Sequence, residues 1–445
     1  MRGPRFFLAL WLSKTIARGI DLVAKGRGTN LPGVVALKID PKFLSHIRGI
    51  DPERTIFITG TNGKSTTTNL LNRVLTEAGY KVISNLDGAN MTPGVAVPLL
   101  KSSSLWGRVK CDFLVMETDE RYVARIRKQI PAKYLGITNI QKDQVQRNGE
   151  PSFIYNKILA SIDPDMTIFV NGDEPNALSL TKGAPEHFVS YGVDSHQHSF
   201  QKEDDFFSVS TPCPKCHSGL HFEEYNLDNA GIFHCPVCGF HSVDKPDYQA
   251  SHISFEGEQF EIAGKAYPFH CNSAEYLYSY TLAAAICLKL GVDEATVARG
   301  FDSFRGLPSR RSDHKLGTHT LKFYKIKQEN SETLQSTANT IALDPAQKSL
   351  IFGLDEYIDF YPPYINGCYM FDCSLKGLLR SGVQRCWCTS PALGHCGALR
   401  LIYDGFPQES ITILPDSLSS TLSGALEQET TENIYLIEEI PYWKR

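Results

Sequence analysis

Short apolar runs recur through the first 170 residues, separated by segments long enough for helices. Thr55-Ile56-Phe57-Ile58-Thr59, Lys81-Val82-Ile83-Ser84, Phe113-Leu114-Val115-Met116, Tyr134-Leu135-Gly136-Ile137-Thr138 and Met166-Thr167-Ile168-Phe169-Val170 read as strands. Thr66 to Ala78 reads as a helix, and helical segments fall between several of the other runs. Alternating β and α elements predict an α/β fold with a mostly parallel sheet covered on both faces.

The pattern breaks between about Ser195 and Asp247, a polar stretch that holds paired cysteines. Helical patterns resume over Ala274 to Leu290 and Asp293 to Ser303. Gly306-Leu307-Pro308-Ser309-Arg310-Arg311 reads as a domain junction. Beyond it, Leu321 to Tyr324, Ser349 to Gly353 and Ile411 to Leu414 read as strands and Leu399 to Tyr403 as a helix, a second α/β unit. The expected organisation is an N-terminal segment, 1–50, packed on a central domain, 51–308, with an insertion over about 205–245, then a smaller C-terminal α/β domain, 309–445.

Composition supports this division and excludes some functions. A chain of 445 residues is too long for one ordinary core. With 42% hydrophobic and 21% charged residues it has a normal globular balance, and a formal charge of −4 gives no nucleic-acid stripe or acidic tail. Near the start, Arg2 and Arg5 precede Phe6-Phe7-Leu8-Ala9-Leu10-Trp11-Leu12, a run too short to span a bilayer. A short amphipathic helix packed on the body is expected there, with a membrane-surface contact as the alternative. Of twelve cysteines, those at 111, 271, 287, 368, 373, 386, 388 and 396 read as reduced thiols of a cytoplasmic protein. Cys386-x-Cys388 with His395-Cys396 is the alternative, a second metal site of no standard spacing.

The strongest chemical signal follows the first strand. In Gly60-Thr61-Asn62-Gly63-Lys64-Ser65-Thr66, glycines let backbone N–H groups turn toward a phosphate, and the following helix adds its positive end. Lys64 is placed to reach terminal phosphate oxygens and the Ser65 hydroxyl to bind Mg²⁺. Cys213-Pro-Lys-Cys216 and Cys235-Pro-Val-Cys238, eighteen residues apart, have zinc-site spacing. Four thiolates close a tetrahedral shell with no position for water, so the site is expected to be a structural Zn²⁺ ribbon. Glu117, at the end of its apolar strand, is the candidate carboxylate for Mg²⁺, with Asp119 and Glu120 competing for that assignment.

The loop Gly60-Thr61-Asn62-Gly63-Lys64-Ser65-Thr66-Thr67 resembles the ATP loop of the Mur ligase family, which also includes folylpolyglutamate synthase. That resemblance implies a Mur-ligase-like central ATPase domain, with ATP activating a carboxylate for attack by an amine. Asn85 to Met91, Thr138 to Gln144, Arg147-Asn148-Gly149-Glu150 and Tyr155-Asn156 resemble the branch that amidates the D-glutamate of lipid II, as does Gly26 to Leu37. Only 59 residues precede Gly60, too few for the usual UDP-substrate domain of the family.

The resemblance implies further roles. Glu117 matches the Mg²⁺-binding glutamate, Asn171 to Pro175 resembles a family segment near the nucleotide, with a simple turn as the alternative, and Arg310 keeps a family arginine. Asp359 matches by spacing an aspartate of the amidation site, where a carboxylate could orient or deprotonate ammonia; an acidic loop is the alternative. The chain departs from the pattern at several places. Gln144 replaces a histidine of ordinary Mur ligases, as in the amidating branch. Phe360 follows Asp359 in place of glycine. Cys368-Tyr369-Met370-Phe371-Asp372 replaces a tryptophan-rich segment. Tyr276 and Ser279 replace adenine-cradling asparagines, Ser312 a glutamate, and Lys327-Gln328 a Lys-Asn pair. Lys157 occupies the position carbamylated in other Mur ligases, a modification not expected in this branch.

The resemblance implies an ATP- and Mg²⁺-dependent ligase subunit of a lipid II amidotransferase, meeting its substrate at the membrane surface. No glutaminase triad stands out, so the resemblance implies a GatD-like glutaminase partner in a heterodimer. The rival readings are a ligase joining an amino acid to another carboxylate and a non-catalytic nucleotide-binding subunit.

Overall fold

The computed structural model describes residues 3–23, 30–86, 89–201, 211–227, 229–270, 273–306, 311–327, 329–353, 367–389, 393–414, 426 and 431–439. The expected alternation is present. Strands β1 (Thr55–Thr59), β2 (Val82–Ser84), β3 (Phe113–Glu117), β4 (Tyr134–Ile137), β5 (Thr167–Asn171) and β6 (Phe188–Val193) pair in parallel. Every residue of β1 and β3 is buried, as expected of strands covered on both faces. After β7 (His221–Leu227) and β8 (Ala230–His234), which form a separate hairpin, β9 (Tyr248–Ser254) joins β6 in parallel. The antiparallel strands β10 (Gln259–Ile262) and β11 (Lys265–Pro268) complete a nine-stranded sheet, ordered β11-β10-β9-β6-β5-β4-β1-β3-β2.

The chain leaves β1 for the far edge, returns through β3 and crosses to β4 on the other side of β1. The order therefore reverses at β1, and a crevice opens beyond the carboxyl ends of β1, β3 and β4. The phosphate loop follows β1, Glu117 ends β3 and Thr138 follows β4, so topology brings all three to this crevice.

The N-terminal helix α1 (Pro4–Val23) has 20 residues, longer than the apolar run alone predicts. Polar residues that find partners continue it: the Lys14 ammonium donates to the Ser103 carbonyl at 2.5 Å and the Thr15 hydroxyl to the Trp11 carbonyl at 3.0 Å. This helix packs with α2 (Leu31–Ile39), α3 (Phe43–His46) and α5 (Thr92–Ser102), while α4 (Lys64–Glu77) leads out of the phosphate loop. The α2–α5 contact is close: a Cβ on Gly33 would sit 2.0 Å from the Pro93 carbonyl oxygen.

A second sheet of six strands shares none with the first. It contains β12 (Arg311–Leu316), β13 (His319–Ile326), β14 (Lys348–Gly353), β15 (Val383–Thr389), β16 (Ile411–Leu414) and β17 (Asn433–Glu439), ordered β12-β13-β17-β14-β15-β16. All of its pairs are parallel except the β12–β13 hairpin. The helix predicted at Leu399 to Tyr403 begins earlier, spanning Leu393–Tyr403. The fold is thus the expected one: a large parallel-dominated α/β sheet, a cysteine-bearing insertion and a smaller α/β unit.

Candidate functional site

The phosphate loop takes its shape from two glycines. Gly60 and Gly63 have φ of +122° and +82°, a region that costs other residues strain. Neither has room for a side chain, because a Cβ would lie 2.3 Å from the Thr138 hydroxyl at Gly60 and 2.9 Å from the Ser279 hydroxyl at Gly63. Thr61 N–H donates to the Asn139 carbonyl at 2.9 Å and Asn62 N–H to Asn139 Oδ1 at 2.9 Å, fixing the loop to the end of β4. Helix α4 begins at Lys64, so its first backbone donors open into the crevice. Gln141 Nε2 adds a buried amide donor without a partner beside the loop, on a side chain that already accepts from Asn62. Glycine cradle, helix terminus and spare donor fit a nucleotide phosphate.

The three neighbouring acids are separated by their partners. Glu117 is buried; its Oε2 accepts from the Ser65 hydroxyl at 2.7 Å and its Oε1 from Asn90 Nδ2 at 2.9 Å. Burial raises its pKa, opposed by Lys64 and by these two donors. Asp119 is committed to Arg121, with Oδ2 to Nη2 at 2.8 Å. Burial opposes ionisation of Asp119, but Arg121 outweighs it and holds the carboxyl below its ordinary range. Glu120 pairs with the Lys64 ammonium at 3.1 Å. Ser65 and Glu117 form the all-oxygen donor set that a hard cation such as Mg²⁺ prefers, and a buried carboxylate gains most from such a charge.

Lys64 is itself buried and folds back over its loop, donating to the carbonyls of Gly60 and, at 3.0 Å, Thr61. Burial would lower its pKa, but Glu120, Glu117, Asp119 and Asp143 more than offset this, so it stays charged.

The C-terminal unit closes the site from the other side. Lys327 pairs with buried Asp143 and donates to the Thr61 carbonyl at 3.3 Å. Asn330 Nδ2 reaches Asp143 Oδ1 at 3.2 Å, and Asn62 Nδ2 donates to buried Glu332. Gln144, with φ of +45°, passes its N–H to the Glu329 carbonyl at 3.2 Å. Asn330 and Glu332 escaped the sequence reading. Their signal was the start of the helix Ser331–Ala342, whose cap is the Asn330 side chain accepting from Thr333 N–H at 2.8 Å.

Other sequence candidates divide. Asn171 is buried at the end of β5, its Oδ1 accepting from Asp173 N–H at 3.0 Å in the turn that follows. In the same turn Glu174 caps the next helix and also accepts from Ile140 N–H at 3.1 Å. Lys157 is exposed, its ammonium 4.9 Å from the Phe153 ring centre. Ser279 stands against Gly63, and Tyr276 faces Phe304 at 6.4 Å between ring centres. Asp359, Arg310, Phe360 and Gln328 lie outside the described residues.

Cys213, Cys216, Cys235 and Cys238 converge, with all four sulfurs within 4.8 Å of one another. The two closest cross-pairs are 3.6 Å, Cys213 to Cys238, and 3.5 Å, Cys216 to Cys235. A tetrahedral shell with zinc–sulfur bonds of ~2.3 Å has edges of about 3.8 Å, so the cluster fits a closed metal site. In each knuckle a backbone N–H supports the first sulfur: Lys215 to Cys213 and Cys238 to Cys235, both at 3.4 Å. Among the described residues no other group of His, Cys, Asp or Glu has this geometry. The alternative second site is not formed there: Cys386 and Cys388 are buried in β15 while His395 is exposed. Burial pushes the Cys388 thiol up to about 12.

Comparison with known proteins agrees with this geometry. Residues 58–243 match the Mur ligase middle domain. Over 310 residues the chain is 30% identical to "Lipid II isoglutaminyl synthase (glutamine-hydrolyzing) subunit MurT" of Staphylococcus aureus strain COL, covering 67% of each protein. It is 28% identical over 393 residues to the MurT subunit of Streptococcus pneumoniae strain R6, covering 87% of this chain and 85% of that one. Among solved structures, a pseudomurein peptide ligase type C from Methanothermus fervidus shares the fold. Its TM-score is 0.66 at 18% identity, over 87% of this chain and 76% of that one. Phosphate loop, fold and relatives lead to one assignment: the chain belongs to the MurT branch of the Mur ligase family.

Proposed function

We propose that the chain is the ATP-using ligase subunit of a glutamine-dependent amidotransferase that converts the D-glutamate α-carboxylate of lipid II to the amide of D-isoglutamine. The observation that carries this reading is the Ser65–Glu117 pair, at 2.7 Å, where the phosphate loop enters α4. The MurT relatives support the choice of substrate.

In this reading the α4 N-terminus and the loop N–H groups hold the phosphates of ATP. Ser65 and Glu117 would hold Mg²⁺, which would supply neutralising charge to the phosphates. Lys64 exchanges Glu120 for a phosphate oxygen, so its charge acts on the transferring group without leaving an unpaired cation in the crevice. The carboxylate oxygen attacks the terminal phosphorus, ADP leaves, and ammonia displaces phosphate from the acyl carbon. A GatD-like glutaminase partner supplies the ammonia. Asp359 is assigned to orienting it or taking its proton. The Cys₄ ribbon would hold one structural Zn²⁺, its four thiolates leaving no open position for substrate or water.

The test is amide formation on lipid II by the chain and its partner with ATP and glutamine. Amide that requires all of these components is expected. Ligation of an amino acid without the partner, or ATP binding without any consumption, would overturn the proposal. Full activity in Asp359→Asn would remove Asp359 from the mechanism.

A further inference from the structure

The outer face of α1 belongs to no site described so far. Packing on α2, α3 and α5 uses one stripe of the helix, and Phe6, Ala9, Leu10, Ser13 and Ala17 on that stripe are buried. The opposite stripe is apolar too: Leu8 is 57% exposed, Trp11 48% and Leu12 45%. Beside it the loop after α5 raises Leu105, 58% exposed, and Trp106, 69% exposed. Trp11 Nε1 donates to the Leu105 carbonyl at 2.9 Å, and the Phe7 ring centre lies 5.6 Å from Trp11 and 6.2 Å from Trp106. Helix and loop therefore make one continuous apolar patch, too large to read as scattered surface residues.

Charge indicates what covers it. The first 48 residues carry nine Lys or Arg against two Asp, in a chain of net charge −4. Arg5 and Arg18 are exposed on α1, and exposed Arg48 and Arg108 are joined by an isolated backbone bridge. The acid on α1, Asp21, is tied to Lys101 at 2.8 Å. Tryptophan and leucine rimmed by arginine match the boundary between lipid tails and anionic headgroups. No described helix is long and apolar enough to cross a membrane, so α1 would lie along the surface.

We propose that α1 and the Leu105-Trp106 loop dock the protein on an anionic phospholipid bilayer, with Trp11 and Trp106 at headgroup depth. The role of this contact rests on the lipid-linked substrate proposed above. On the packed side of α1, a hollow of about 250 Å³ is lined by Ala17 and Ile20 of α1, Pro32 of α2 and Val97 of α5, and it reaches Asn85. Asn85 in turn brackets the Glu117 backbone, accepting from its N–H at 2.8 Å and donating to its carbonyl at 2.9 Å.

The experiment is co-sedimentation of the full chain with vesicles of phosphatidylglycerol and phosphatidylcholine, or of phosphatidylcholine alone. Salt-sensitive binding to the anionic vesicles is expected. It should fall about tenfold or more in Trp11→Ser/Trp106→Ser and again in Arg5→Glu/Arg18→Glu, with melting temperature and ATP binding retained. Equal binding by the tryptophan variant, no preference for anionic vesicles, or patch-dependent self-association in their absence would overturn the proposal. Amidation of a short-tailed, water-soluble lipid II analogue separates the two readings. The tryptophan variant should retain that activity; failure of the wild type alongside intact vesicle binding would count against the amidation reading alone.

Discussion

Glu117, Asp119 and Glu120 lie within four residues, yet each has a different task in the fold. The end of a buried strand made Glu117 readable as a crevice carboxylate. Nothing local revealed that Arg121 would occupy Asp119 or that Glu120 would hold Lys64, because those pairings depend on how the chain turns after β3. Substitution separates them. Lys64→Ala and Glu117→Gln should each lower ATP turnover by about a hundredfold or more, the scale of a lost transition-state electrostatic contact. Asp119→Asn should act mainly on stability, read by melting temperature; a turnover loss equal to that of Glu117→Gln would reverse the assignment. Asp173, which accepts from Val193 N–H and the Tyr278 hydroxyl, makes a pH prediction. Burial pushes its carboxyl up to about 7. An unfolded chain titrates near ~3.9, so the native state holds the extra proton between these values. The stabilising contribution is complete below about pH 4 and is lost as pH rises through about 7. Asp173→Asn should therefore flatten the decline of melting temperature over that range; an unchanged slope would contradict the assignment.

At the scale of elements, the sequence was most legible where apolar runs were continuous. The five predicted parallel strands and the helices around them are present because burial on both faces leaves little ambiguity of period. Some missed strands, β6 and β17 among them, are mostly buried; others are polar, half-buried or alternating. Strands β9 to β11 extend the sheet toward its edge, and most residues of β9 are only half-buried, so they lack a continuous apolar signature. The Cys₄ insertion was read by spacing alone, and its hairpin explains why spacing sufficed. Strands β7 and β8 form a two-stranded unit whose Phe222, Phe233 and Phe240 make a small core beside the sulfurs. A hairpin of that size is marginal without further support. Zinc would add about 10 kcal/mol or more on the scale of small zinc domains. Purified protein should contain one Zn²⁺ per chain, and a strong chelator should lower the melting temperature. Elemental analysis finding no stoichiometric zinc would remove the metal from this account.

The whole molecule is built so that its two sheets meet at the phosphate loop. The carboxyl ends of β1, β3 and β4 supply the loop and Glu117, while the C-terminal unit supplies Lys327, Asn330 and Glu332. Sequence reading placed the loop correctly but could not see this meeting, because Asn62 and Glu332 are 270 residues apart. Replacing Asn62 or Glu332 by alanine should reduce turnover more than ATP affinity, since the contact closes the site around a nucleotide already held by the loop. An equal loss of both would show that it serves binding alone. The proposed transfer of a phosphoryl group from ATP to a carboxylate leaves an isotopic trace. Lipid II carrying oxygen-18 in the D-glutamate α-carboxylate is incubated with the chain, its glutaminase partner, ATP and glutamine, and the released phosphate is analysed by mass spectrometry. One labelled oxygen in phosphate is expected for each amide formed. Amide formed with unlabelled phosphate, or ATP left unconsumed in the complete system, would contradict the proposed transfer.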